Sequence, residues 1–442
     1  MADKPVSISA ITVRGFKSIA DEQTIDIAPL TVLAGANSSG KSSIMQPLLL
    51  LKQTLDSTSD PGALLLDGPN VRFTSTEQLL SKTANSSEIP SFSITLKSSD
   101  LSSIVAEYQF KQKYKIDIVK TVYNDFIGNE LPIRLNMSPQ DIKTIQLGYL
   151  KKLSKYPEIA DSIYFKNSMK AEFFVSRNRC FLCMASMMSD MSVLFKLPII
   201  SPCTDILKSI IHLPGLRGNP RRTYPVSGVG PQFPGAFDAY VASLIFKWQS
   251  DNKKNINILS RQLEKLGLTW KIRAKPIDDT QVEIQVGRMP RSKKGGANDV
   301  VSVADVGFGV SQVLPALVAM LAAQPGQLVY LEQPEIHLHP RAQRLLAPIL
   351  CETAKRGVKL VIETHSALLL REILTQIAKG NMPKEDVRLH WFKRGDDGAT
   401  TIKTANLDDN GGYGDWPADF DETELDAEKE YLDAVELRIN GQ

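Results

Sequence analysis

Gly35-Ala36-Asn37-Ser38-Ser39-Gly40-Lys41-Ser42 follows the apolar run at residues 30–33 and precedes an apolar run of helical spacing through Lys52. It fits the pattern Gly-x-x-x-x-Gly-Lys-Ser without a gap, and the pattern has a mechanical reason. Glycines let the backbone wrap so closely that successive N–H groups face phosphate oxygens. A helix beginning near Gly40 adds the positive end of its dipole at the same place. On this reading Lys41 reaches the β- and γ-phosphates and the Ser42 hydroxyl is a ligand for Mg²⁺. Asn37, Ser38, Ser39 and Ser43 complete the lining. Pro47 interrupts the helical run and predicts either a kink or a first-turn boundary, because it lacks an N–H and its ring crowds the preceding turn.

Upstream, Ser7-Ile-Ser-Ala-Ile-Thr-Val13 reads as a strand, Gly15-Phe16-Lys17-Ser18 as a turn, and residues 23–27 and 30–33 as two further strands. Residues 70 to 295 are much less legible. Short strand patterns at 92–96 and 104–110 alternate with helical pieces at 139–153 and 205–213. A hairpin is expected from residue 281 through the Gly/Lys-rich loop 288–296 and back at 300–303. No repeat, low-complexity tract or heptad run of coiled-coil length is present.

The motifs return at Asp305-Val-Gly-Phe-Gly-Val-Ser-Gln312, which leads into a helix. Its N-terminus, with Gly307, Gly309, Ser311 and Gln312, is a second anion-binding element. The apolar strand at 328–331 ends in Glu332-Gln333-Pro334-Glu335-Ile336-His337-Leu338-His339-Pro340. A helix over 341–355 and a strand over 359–362 lead to Glu363-Thr364-His365-Ser366. A carboxylate at a strand's C-terminal edge beside the phosphate loop holds Mg²⁺, which makes Glu332 the metal candidate alongside Ser42. His365 is expected to donate to the γ-phosphate.

These motifs resemble a known group. Arg14-Gly-Phe-Lys-Ser18 is similar to the opening of SMC and RecF proteins, which brings Arg14 and Lys17 into the nucleotide-binding set. The loop at 35–42 resembles their Asn-containing phosphate loop, with Ser38 where many have glycine. The 332–340 and 363–366 segments resemble the Walker B/D-loop and H-loop of OLD and RecF-like bacterial ATPases. The 217–224 segment and Asp415-Trp-Pro417 are similar to a subgroup closed by a small C-terminal domain of unknown function. The firm likeness covers residues 8–54 and 300–420.

The resemblance implies an α/β fold, a P-loop ABC/SMC-type ATPase head. An N-terminal lobe is expected over 1–70, a mixed α/β insertion or lid over 71–295, a C-terminal lobe over 296–404 and an acidic extension over 405–442. ATP and Mg²⁺ are the implied cofactors. The implied partner is a second copy, in a homodimer or higher homo-oligomer closing through the ATP site, where Gly309, Ser311 and Gln312 would meet the opposite subunit's γ-phosphate. Such proteins often work on DNA or in phage defence, so the expected role is sensor or motor subunit of a bacterial antiphage complex. Fewer than eighty residues follow His365, and their acids lie in a tail, so a nuclease or toxin effector is expected as a separate protein. A DNA-repair clamp and a scaffold with little turnover stand as alternatives. A transporter ATPase is disfavoured, because residues 305–312 lack the usual transporter signature.

One departure bears on mechanism. The usual order is a metal-binding Asp followed by a Glu that activates water, and here those positions hold Glu332 and Gln333. An amide orients water but accepts no proton at neutral pH. Hydrolysis is then slow, or another carboxylate substitutes, or Gln333 is an engineered ATP trap. Glu363 and Glu335 are the nearby carboxylates, and Glu363 is favoured because its strand should lie beside that of Glu332.

Other constellations keep two readings each. Cys180, Cys183, Cys203 and His212 are either zinc ligands or buried packing residues. His337 and His339 either chelate a metal or belong to a loop at a dimer seam. Arg217, Arg221 and Arg222 near Tyr224, and Arg288, Arg291, Lys293 and Lys294, are either phosphate contacts or solvated loops. The last 35 residues hold twelve acids and two bases, which leaves a net charge of +13 on the rest. That balance suits either nucleic acid or an acidic tail lying on a basic body. No apolar run reaches the ~18 residues of a membrane span, so no membrane association is expected. The four cysteines point to a reducing cytoplasm.

Overall fold

The computed structural model describes residues 5–82, 90–112, 115–156, 160–161, 172–187, 194–196, 202–251, 253–288 and 299–414. The Asp415-Trp-Pro417 motif, most of the acidic extension, and Arg291, Lys293 and Lys294 lie outside the described residues.

The chain opens with β1 (Ile8–Arg14), β2 (Gln23–Asp26) and β3 (Leu30–Gly35), after which α1 (Lys41–Asp56) leaves the glycine loop. The helix continues through Pro47 to Asp56, so the proline does not end it. Strands β4 (Ser91–Ser98), β5 (Ser103–Gln112), β6 (Lys115–Asn124) and β7 (Glu130–Arg134) join the first two in an antiparallel sheet of order β2-β1-β4-β5-β6-β7. Because β1 pairs with β4, this sheet crosses residue 70. Helix α2 (Pro139–Leu153) starts on a Ser138/Asp141 capping box with Pro139 in its first turn, the residue types that satisfy free N–H groups at a helix start. A small sheet of β8 (Phe174–Asn178), β9 (Phe181–Met187) and β10 (Leu194–Lys196) follows.

The expected helical piece at 205–213 divides. Helix α3 (Cys203–Ser209) stops, and β11 (Ile211–Leu213) becomes an edge strand. Tertiary pairing overrides helical spacing there, because β11 runs parallel to a distant strand and buries Ile211 and Leu213. Beyond it lie β12 (Tyr224–Pro225), α4 (Val241–Ser250), α5 (Lys253–Lys265), β13 (Ile272–Pro276), β14 (Gln281–Gly287) and β15 (Val300–Ser302). The expected hairpin is present as the antiparallel pair β14–β15.

The last third supplies α6 (Phe308–Ala322), β16 (Leu328–Glu332), α7 (Pro340–Lys355), β17 (Lys359–Glu363), α8 (Ala367–Ala378), β18 (Val387–Arg394) and β19 (Thr400–Thr404). These strands form the central sheet with β3, in the order β11-β16-β17-β3-β18-β19, parallel except for β19. Alternate residues go to opposite cores. Leu30, Val32, Val329, Leu331, Leu360 and Ile362 pack with α6, α7 and α8, while Leu33, Leu328, Tyr330 and Val361 pack with α1 and the antiparallel sheet. Burial on both faces explains why these strands read as unbroken apolar runs. Each such side chain contributes about 1.5–3 kcal/mol.

His390 of β18 is fully buried, its Nε2 2.9 Å from Asp26 O and its Nδ1 2.9 Å from Thr404 Oγ1. Burial holds its pKa below the ordinary 6.5, although the bond to Asp26 opposes this. The unfolded chain therefore binds a proton that the folded chain refuses, and stability falls as pH drops below about 6.5 toward the lower folded value. A thermal-denaturation series should show a shallower loss of Tm between about pH 7 and about pH 5 for His390→Gln than for the parent.

Candidate nucleotide site

The glycine loop is shaped by its neighbours. Gly35 has φ 145°, and a Cβ there would collide with the Phe392 carbonyl of β18. Gly40, the N-cap of α1 at φ 97°, would collide with Thr400 Oγ1 and Ser18 Oγ. Ser38, where glycine is common, sits at φ 60°. Thr400 Oγ1 lies 2.8 Å from both Ser39 O and Ser18 Oγ, so β19 clamps the loop from outside. Neither Ser18 nor Thr400 was legible as a site residue, since only the sheet brings them there. Lys41 is buried and its ammonium donates to Gly35 O at 2.9 Å and Ala36 O at 2.8 Å.

The residues fit a polyphosphate. Helix α1 has no side-chain cap and no acid in its first turn, so its N–H groups are available to an anion. The buried Ser39 hydroxyl has no hydrogen-bond partner. Lys17 approaches from the other side, donating to Gln46 Oε1 at 2.9 Å, and lines a cavity with Ser38, Gly40, Ser42 and Ser43. Arg14 is exposed at the end of β1.

The acids lie one strand away, in Glu363, and two strands away, in Glu332. β16 and β17 run in parallel register with Glu332 opposite Glu363, and β17 pairs with β3 through Glu363 and Leu33. Glu332 is held on its outer side, with Oε1 3.1 Å from His212 Nε2 and Oε2 accepting from the Gly215 N–H at 3.0 Å. Burial acts to raise its pKa, but the bonds to His212, Gly215 and Tyr330 outweigh it and leave the group below its ordinary value. Glu363 is the carboxylate turned to the phosphate loop, in reach of the Ser42 hydroxyl and the Lys41 charge, with Oε2 accepting from Tyr330 Oη at 2.9 Å. Burial first, and then the charge of Glu332, raise its pKa. Two carboxylates and a hydroxyl are the hard oxygen donors that suit Mg²⁺.

A cleft of about 690 Å³ opens beside the loop, within the ~300–1,000 Å³ of small-molecule sites. Gly35, Ala36, Asn37, Gln333, Glu335 and His365 are among its walls. Gln333 and His337 have φ of 45° and 62°, unusual for residues with a Cβ. Burial, followed by the charge of Lys41, holds His365 below its ordinary pKa, and a bond to the Gly35 backbone opposes this. Glu335 Oε1 accepts from the Thr364 hydroxyl and the His365 N–H.

The signature-like residues stand elsewhere. Gly309, Ser311 and Gln312 begin α6 and line neither cavity. Ser311 Oγ donates to Phe308 O, and Gln312 is buried. The four cysteines are all buried and in no disulfide, and no group of three metal-ligating side chains occurs among the described residues. His212, weighed above as a zinc ligand, is bonded to Glu332 instead. His339 caps α7 and accepts from the Arg341 N–H, while the His337 ring lies 5.9 Å from that of Phe308. Arg222 pairs with Asp305 and Arg288 with Asp299, both on exposed loops.

Arg217 is different. It is buried, donating to Gln312 O at 2.8 Å and Glu332 O at 3.0 Å, and so ties the start of α6 to the end of β16. Burial lowers its pKa to about 10, opposed by Glu335 and Glu332.

A lysine in a glycine cradle, at the C-terminal end of a parallel strand with acids on the strands beside it, defines a P-loop ATPase head. Two family models match the chain. One is described as AAA ATPase domain and matches residues 7–194; the other, AAA domain, putative AbiEii toxin, Type IV TA system, matches residues 249–371. Residues 7–194 and 249–371 are thus each similar to AAA ATPase domains, and the glycine loop on β3 with its parallel sheet is the α/β fold of a P-loop ATPase head. Among solved structures it is similar to the SMC head domain from Thermotoga maritima, at 12% identity and a TM-score of 0.40, over 91% of this chain and 100% of that one. It is also similar to an Smc head domain with an extended coiled coil bound to the C-terminal domain of ScpA, from Pyrococcus furiosus, at 11% identity and a TM-score of 0.45, over 98% and 100%. None of the curated proteins compared with it matches the chain. Among the described residues no helix is long and apolar enough to cross a membrane.

Arg217→Ala would remove the donor shared by the Gln312 and Glu332 carbonyls and the positive charge beside Glu335 and Glu332. Urea denaturation should show a loss on the order of 3 kcal/mol.

Proposed function

We propose that this chain binds ATP with Mg²⁺ and hydrolyses it slowly, as the sensor or motor subunit of a bacterial antiphage complex with a separate effector. One observation carries the nucleotide part: Lys41 and Ser42 meet Glu363 across β3 and β17, beside a cleft walled by Gln333 and His365. ATP would lie along the loop, with its phosphates on the N–H groups of residues 36–43. Ser42, Glu363 and Glu332 would hold Mg²⁺, which neutralises charge on the phosphate oxygens. His365, kept neutral by burial and by Lys41, would donate to the terminal phosphate rather than add a charge.

The site is then composite, with the lobe at 1–70 giving the cradle and the lobe at 296–404 the acids, while 71–295 stands between them in sequence and pairs with both through β4 and β11, and 405–442 is an acidic extension. The start of α6 lines neither cavity and carries Phe308, 54% exposed, while Leu216, 91% exposed, directly precedes the Arg217 that is bonded to α6. A second copy closing over the first would cover them and bring Ser311 to the opposite nucleotide. The cytoplasm suits four cysteines that form no disulfide. The defence role draws on the resemblance and on the AbiEii toxin wording of one matching family model. Nucleic acid is a fitting trigger for the basic body. Gln333 favours one second reading, an ATP-dependent scaffold with little turnover.

Lys41→Ala should weaken binding of a fluorescent ATP analogue by about 10- to 100-fold, the value of a charge-assisted bond to phosphate. Gln333→Glu should raise steady-state turnover by roughly tenfold or more. Intact binding with no turnover in either parent or Gln333→Glu would move the function to the scaffold reading.

A further inference from the structure

Three carboxylates stand near the cleft, and their oxygens are not equally free. Glu332 has both oxygens bonded, to His212 and to the Gly215 N–H. Glu363 takes the Tyr330 hydroxyl on Oε2 and faces Ser42 and Lys41. Glu335 is 6% exposed and anchored through Oε1 by Thr364 and His365, while its Oε2 is buried with no hydrogen-bond partner. It lines the same cleft as Gly35, Ala36, Asn37, Gln333 and His365. A buried carboxylate oxygen without a partner costs free energy. Glu335 is itself a wall residue of the cleft in which the terminal phosphate and a water would meet, so a small turn of its carboxylate would bring Oε2 to that water.

Resting on the ATPase reading above, we infer that Glu335 is the general base that replaces the glutamate absent at position 333. Glu335 Oε2 takes a proton from a water whose oxygen attacks the γ-phosphorus. The bond from that phosphorus to the β,γ-bridging oxygen breaks, its electron pair leaves on ADP, and the proton passes from Glu335 to solvent. Gln333 orients the same water through its amide. Two features suit Glu335 to the work. Thr364 and His365 fix the carboxylate without occupying the reactive oxygen. Burial raises its affinity for a proton, while the bonds from Thr364 and His365 and then the Arg217 charge limit that rise, and a base whose pKa moves toward the working pH transfers protons more effectively.

Glu335→Gln keeps an oxygen to accept from Thr364 and His365 but removes the basic site. In the full chain with Mg-ATP it should lower kcat by roughly 100-fold or more, with ATP-analogue affinity within about threefold of the parent. Adding Gln333→Glu in the same chain should restore most of the rate. Thr364→Val, which loosens the anchor but keeps the carboxylate, should retain kcat within about tenfold. The assignment is overturned if Glu335→Gln turns over within about threefold of the parent, if Gln333→Glu fails to restore it, or if Thr364→Val loses as much rate as Glu335→Gln. A parent that binds ATP without hydrolysing it also overturns the assignment but leaves the ATP site standing. A parent that binds no ATP sinks the nucleotide reading itself.

Discussion

The parallel pairing of β3 between β17 and β18 is the constraint on which the rest depends. It sets a strand from the first forty residues between two from beyond residue 358, so the glycine loop has a floor only when the far end of the chain has folded against it. Gly35 must lack a Cβ because Phe392 passes beneath it, and Gly40 because Thr400 and Ser18 pass beside it. The loop's geometry is thus imposed by packing as much as by the freedom of its glycines. The same pairing puts Glu363 in line with Leu33, one residue from the loop.

Around this junction the protein buries more charge than a stable core requires. Lys41, Arg217, Glu335 and Glu363 are all buried within a few residues of one another in space, and Glu332 is bonded on both oxygens. Desolvation dominates each of the resolved shifts among them, raising the acids Glu335 and Glu363 and lowering the bases Lys41 and Arg217. Opposed charges held out of water are costly unless each is bonded, and here several are only partly bonded. An arrangement of that kind is poised to accept further charge, which is what a triphosphate and a metal bring.

Much of the fold was open to reading from residue order. The strand–glycine–helix unit at 30–56, the α2 helix over 139–153, the β14–β15 hairpin and the strand–helix–strand run of 328–363 all carry local signals. Their apolar periodicity and turn chemistry act over a few residues. The 205–213 segment did not yield, because its last three residues take their conformation from β16, more than a hundred residues away. The antiparallel sheet was equally opaque as a sheet, since pairing β1 with β4 joins segments on either side of residue 70.

The site divides along the same line. Sequence alone determined the chemical identity of the parts: the Gly35 to Ser42 loop, the acid that ends each apolar strand, the histidine after the second, and the amide where a base is usual. These are local patterns whose spacing matches a backbone geometry. Only the tertiary structure decided which carboxylate faces which group. His212 and Gly215 engage Glu332, Glu363 turns to Lys41 and Ser42, Arg217 bridges α6 to β16, and one oxygen of Glu335 is left bare. Those assignments depend on strand order and register, which bring together side chains more than a hundred residues apart, and no local periodicity encodes which of several nearby acids will lose its water and which will find a partner.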